Sequence, residues 1–144
     1  MIIGYECSLC DGRLADILRH LATQQYEYYV PLLSAISNGG DVLPTVIKNV
    51  CVDSDELMQI AQKCIWELEL HIYPYGAKKK LFKTYDEYIN SDCICCLVFY
   101  DCKLLDVYAK SEILEDFFML LCGIGANQLT EIREDGNHRD LMYI

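Results

Sequence analysis

The stretch from Cys93 to Tyr100 contains no charged residue, and it constrains this chain more than any other segment. It has the length of a strand. Successive side chains of a strand point to opposite faces, so this one is apolar on both, which marks a central strand. Asp101 and Cys102 follow at an expected hairpin turn, and Leu104 to Ala109 returns as the neighbouring strand. Upstream, Glu67-Leu68-Glu69-Leu70-His71-Ile72-Tyr73 alternates instead. Leu68, Leu70 and Ile72 are expected to face the core, and Glu67, Glu69 and His71 to face outward on a wetter side of the sheet.

Helical spacing alternates with these strands. Leu14, Ile17, Leu18 and Leu21 repeat at i, i+3, i+4, i+7, and Asp11 is placed to cap that helix. Asp53 and Glu56 are spaced as a variant capping box before Leu57, Ile60, Ala61 and Cys64. Thr84 and Glu87 open a short helix through Tyr85, Tyr88 and Ile89. Ser111 and Glu112 start a longer one whose Ile113, Phe117, Leu120 and Leu121 share a side, with Gly123 as the expected stop. Ile3, Tyr5 and Cys7 mark a first strand. Tyr26 to Leu33 reads as another, confined to an edge or a bulge by Pro31. Ser37-Asn38-Gly39-Gly40-Asp41 is a turn by composition. The end reads as strand (Leu129 to Arg133), turn (Asp135-Gly136-Asn137) and strand (Leu141 to Ile144). The order β-α-β-α-β-α-β-β-α-β-β predicts one α+β domain over residues 1–144, a mostly antiparallel or mixed sheet with helices packed on one face.

Nine cysteines are scattered through this pattern: Cys7, Cys10, Cys51, Cys64, Cys93, Cys95, Cys96, Cys102 and Cys122. The count is odd and most fall in apolar runs, where a free thiol behaves as a small hydrophobe. Reduced thiols in an intracellular setting are therefore expected rather than a disulfide framework. Cys7-Ser8-Leu9-Cys10 alone has a spacing that invites chemistry. A C-x-x-C between strand and helix supports a redox pair if the helix N-terminus lowers the pKa of Cys10. The likeness to thioredoxin stops there, because Glu6 precedes the pair and Ser8-Leu9 intervene. No metal site is expected, since Cys7 and Cys10 supply half a tetrahedral shell and Cys93, Cys95 and Cys96 lie on opposite faces of a strand. His20, His71 and His138 fall in no metal-binding spacing, and His20 and His71 are expected at the surface. No nucleophile elbow, phosphate loop or dinucleotide fingerprint occurs, and Asp101 and Asp106 have no partner acid or base in sequence. No cofactor is implied.

The formal charge of −10 opposes attraction to nucleic acid or anionic membrane and favours a basic protein partner. The one basic patch is Lys78 to Lys83, with Tyr73, Tyr75, Phe82 and Tyr85 close enough in sequence to stack on a ligand. The N-terminus shows no basic region followed by an apolar one, and no apolar run approaches the ~18 residues of a membrane span. A cytoplasmic protein is the expectation.

Tyr73-Pro74-Tyr75-Gly76, Lys83-Thr84-Tyr85-Asp86-Glu87-Tyr88-Ile89-Asn90-Ser91-Asp92-Cys93, Asp101, Val107-Tyr108-Ala109-Lys110 and Ile113-Leu114-Glu115 resemble small uncharacterised proteins of Bacillus and Clostridium type bacteria. The resemblance covers roughly residues 70–144 and departs over Pro31 to Asn49. It implies a small cytosolic bacterial domain and assigns no activity. Two functional expectations stand beside it. One is a non-enzymatic interaction domain of regulatory or immunity type that binds a basic protein; the other is a thiol-dependent redox protein using Cys7 and Cys10.

Overall fold

The computed structural model describes residues 1–10, 12–37, 45–136 and 138–142. Its elements in chain order are β1 (Ile2–Ser8), α1 (Arg13–Ala22), β2 (Tyr26–Ser37), β3 (Thr45–Val52), α2 (Ser54–Ala61), β4 (Lys63–Pro74), α3 (Tyr85–Ile89), β5 (Cys95–Tyr100), β6 (Leu104–Ala109), α4 (Ser111–Gly123) and β7 (Asn127–Arg133). The seven strands form a single antiparallel sheet in the order β3-β2-β4-β5-β6-β1-β7. The α+β class read from the sequence holds. The run that is apolar on both faces, β5, is the middle strand of the seven.

Strand alternation sorts β5 into two cores. Cys95, Leu97 and Phe99 enter one with Leu68, Leu70 and Ile72 of β4 and the buried stripes of α1, α2 and α4. Cys96 and Val98 enter the other with Tyr73, Phe82, Tyr108, Ile132, Met142 and the two tyrosines of α3, Tyr85 and Tyr88. The three longer helices thus share one layer, while α3 and the segments around Phe82 and Met142 cover part of the opposite face.

Side-chain caps set the starts of α2 and α3. Asp53 accepts from the Glu56 amide at 2.8 Å while the Glu56 carboxylate accepts from the Asp53 amide, the expected capping box. Thr84 caps α3 by accepting from the Glu87 amide. Cys64 departs from the expected helical stripe: α2 ends at Ala61, and Cys64 pairs with Ile36 in β4, exposed. The C-terminal stop of α4 also lies later than expected. Gly123 is still helical, and Gly125 carries the left-handed conformation at φ 74°. Pro31 sits at a register shift of β2 against β4, so the bulge, not the edge, accommodates it.

Two expectations need correction. β3 was not foreseen; it pairs with β2 from Tyr28↔Val52 to Ala35↔Thr45 and forms one edge of the sheet. In place of a strand at Leu141 to Ile144, the described residues show a single bridge, Thr84↔Leu141. The expected Asp11 cap, the turn over residues 38–41 and Asn137 lie outside the described residues.

Candidate functional site

Cys7 and Cys10 bracket the end of β1. Cys7 points into the helix-covered core, and burial, followed by the charges of Asp106 and Glu6, pushes its thiol up to about 12. Such a thiol stays protonated near neutrality and is a poor nucleophile. Cys10 is exposed, and its Sγ accepts a hydrogen bond from Asn127 Nδ2 at 3.4 Å. All nine cysteines are free thiols. Cys7, Cys93, Cys95 and Cys96 are core side chains, as expected, but Cys10, Cys51, Cys64, Cys102 and Cys122 are exposed. Among the described residues, no group of three or more His, Cys, Asp or Glu is arranged to hold a metal ion.

The outward placement of Glu69 and His71 is not found. Glu69 is 1 % and His71 0 % exposed. Nε2 of His71 and Oε2 of Glu69 are joined by a 2.8 Å hydrogen bond, and the imidazole stacks on Phe82 with ring centroids 4.2 Å apart and planes 11° from parallel. Among the described residues, Nδ1 of His71 finds no hydrogen-bond partner. The alternation was right, but the face was not wet, because the segment carrying Phe82 folds over it. One register step away on β5, Cys96 stands opposite His71, so cysteine, histidine and carboxylate adjoin. This is not a catalytic triad. Burial holds the Cys96 thiol well above its ordinary value, and a substrate has no approach to groups so fully covered.

Asp106 also has a partner that sequence spacing did not reveal. Its Oδ2 accepts from Arg139 Nε at 2.6 Å, while the Arg139 guanidinium lies 4.6 Å from the Tyr100 ring centre and its amide donates to Tyr108 Oη at 2.7 Å. These contacts pin the C-terminal segment to the sheet. The aromatics around the lysine cluster have the same structural employment: Tyr73, Phe82 and Tyr85 are buried, and only Tyr75 is exposed. Lys79 pairs with Glu27 at 3.1 Å.

The fold leaves apolar surface open in a groove of about 630 Å³ between the start of β1, α3 and the first turns of α4. Met1, Ile2, Tyr5, Tyr88, Ile89, Leu114 and Phe118 line it, with Glu112 and Glu115 on the α4 side. Met1, Ile89 and Phe118 are exposed apolar residues there, and Phe118 packs on Tyr5 with centroids 5.3 Å apart. Lys110, a cation of the lining, is already engaged: Nζ donates to the Ser91 carbonyl at 2.5 Å and stands over the Tyr88 ring. Burial, then Glu131, Cys122 and Glu115, raise the Tyr5 hydroxyl pKa. The sequence signals were present in Glu115 and Glu131, but nothing in their spacing placed them beside Tyr5.

A family model described as "Protein of unknown function (DUF2691)" matches residues 8–143. No curated protein and no solved structure matches the chain.

Proposed function

The chain belongs to the DUF2691 family of proteins of unknown function, and from that premise we propose that it is a non-enzymatic interaction domain whose α3–α4–β1 groove receives a basic, apolar segment of a partner protein. The carrying observation is the union of open apolar surface with unneutralised acid in one place. Met1, Ile89 and Phe118 leave apolar surface open at this groove. Glu112 and Glu115 beside it favour a segment that mixes lysine or arginine with leucine- or phenylalanine-like residues. The net charge of −10 adds long-range attraction for such a partner. A thiol-exchange reading on Cys7 and Cys10 has weaker support, because Cys7 is a buried, protonated core residue.

The test uses a labelled amphipathic peptide of lysine and leucine, with its glutamate–leucine counterpart as control, followed by fluorescence anisotropy. The basic peptide is expected to bind and the acidic one not. Affinity should fall as salt shortens the electrostatic range to about 8 Å and below. Reversal of both rim acids, Glu112→Lys and Glu115→Lys, should weaken binding by roughly tenfold or more. Binding that ignores salt and these reversals, or its absence, overturns the proposal.

A further inference from the structure

At the other end of β1 lies a second cleft, of about 510 Å³, and three thiols line it: Cys10, Cys64 and Cys102. They come together through the ladder. β1 pairs with β6 up to Ser8↔Leu104, and the Leu9 amide donates to the Lys103 carbonyl at 2.7 Å. Continued one step past the end of the ladder, that register points Cys10 toward Cys102, and both residues line the cleft. Adjacent positions of an antiparallel ladder have Cα atoms about 4.5–5.5 Å apart, within the roughly 4.4–6.8 Å that a disulfide spans.

Two further observations favour chemistry over chance. Cys102 sits at the hairpin tip with φ 61°, next to Asp101 at φ 54°. This turn conformation is one that glycine and asparagine adopt at least cost, so a cysteine is held there against local preference. The cleft also carries Lys63, and Arg19 paired with Asp16 at 3.3 Å, and none of the described residues lining it is an acid, in a chain with ten more negative than positive charges.

We propose that this cleft is a thiol–disulfide exchange site for small anionic disulfides, with Cys10 attacking and Cys102 resolving. Cys10 is exposed, and Asn127 Nδ2 donates to its Sγ at 3.4 Å, which holds the sulfur at the cleft and assigns the attack to Cys10. The Cys10 thiolate attacks one sulfur of the incoming disulfide. A mixed disulfide forms on Cys10, and the other half of the molecule departs as a thiolate. The Cys102 thiolate then attacks Cys10 Sγ, forming the Cys10–Cys102 bond and expelling the second half. The protein loses two electrons and two protons; the small disulfide takes up both and leaves as two thiols. This inference is independent of the groove.

Oxidised glutathione, which carries carboxylates, is the probe, and alkylation with peptide mass mapping is the readout. The wild-type chain is expected to yield an intramolecular Cys10–Cys102 disulfide. Cys102→Ser should accumulate the mixed disulfide on Cys10, and Cys10→Ser should leave Cys102 reduced. Lys63→Glu should slow reaction with oxidised glutathione severalfold while sparing reaction with cystamine, a cationic disulfide. Reaction at the isolated exposed thiols Cys51 and Cys122 as fast as at Cys10 would show that exposure alone governs and would overturn the site. A stable mixed disulfide in the wild type, or a Cys10–Cys64 link, would overturn the role of Cys102. Equal rates with both probes would overturn the anionic preference.

Discussion

Glu69 and His71 are buried together on the sheet's α3 side, joined by a 2.8 Å hydrogen bond. An ionisable pair removed from water is retained only while each partner satisfies the other. Glu69→Lys would set an ammonium against His71 with no carboxylate to meet it, and is expected to destabilise the protein by about 3–5 kcal/mol in urea unfolding. Glu67→Lys, two residues away and only partly buried, should shift the same curve by about 0.5 kcal/mol or less. Equal midpoints for both would contradict the buried pair. The thiols give a second residue-scale expectation. Burial raises Cys7 and Cys93 from the ordinary 9.0 to about 12. A group whose pKa is raised by folding stabilises the fold below its unfolded value and loses that contribution as pH climbs to the folded value. Stability should therefore fall between about pH 9 and pH 12, and Cys7→Ala should flatten part of that fall, as read from denaturation midpoints at each pH. The sequence alternation of β4 identified which side chains share a face. It did not reveal whether that face is covered, because the cover is built from Phe82, Tyr85 and Met142, which come from other parts of the chain.

At the scale of elements, β1 is held from both sides. It lies between β6 and β7, and at Gly4 the backbones approach so closely that an added Cβ would stand 2.1 Å from the Val107 carbonyl oxygen. No flexible side chain can yield there, since the obstacle is backbone. Gly4→Ala should cost on the order of 3 kcal/mol, whereas Asp53→Ala, which removes only the α2 cap, should cost about 1 kcal/mol. Thermal unfolding of the two variants would rank them; the reverse order would refute the close approach. Periodicity made α1, α2, α4, β4, β5 and β6 legible, because each keeps one period throughout. β3 was illegible for a specific reason. Val52 and Ile47 both face the helix-covered core although they are an odd number of residues apart, and between them Asn49 turns to φ 55° opposite Pro31. A strand that changes phase midway shows no alternation to find.

For the whole molecule, class and strand direction followed from the pattern of elements, but strand order did not, since no local signal states which strands are neighbours. The groove and the thiol cleft were hidden for the same reason: each is assembled from segments distant in sequence around opposite ends of β1. A chain shortened after Gly125 would lack β7 and leave β1 as an edge with unpaired amides and carbonyls. Such a chain is expected to self-associate in size-exclusion chromatography, and a well-behaved monomer with unchanged circular dichroism would argue against the role given to β7. The position of β1 also bears on manufacture in the cell. β1 is made before both its sheet neighbours, β6 and β7, so the segment bearing Ile3, Tyr5 and Cys7 waits without strand partners while residues 9–103 are made. The final sheet can close only after release of the chain's later part, which makes this protein a natural client for whatever shields nascent apolar strands.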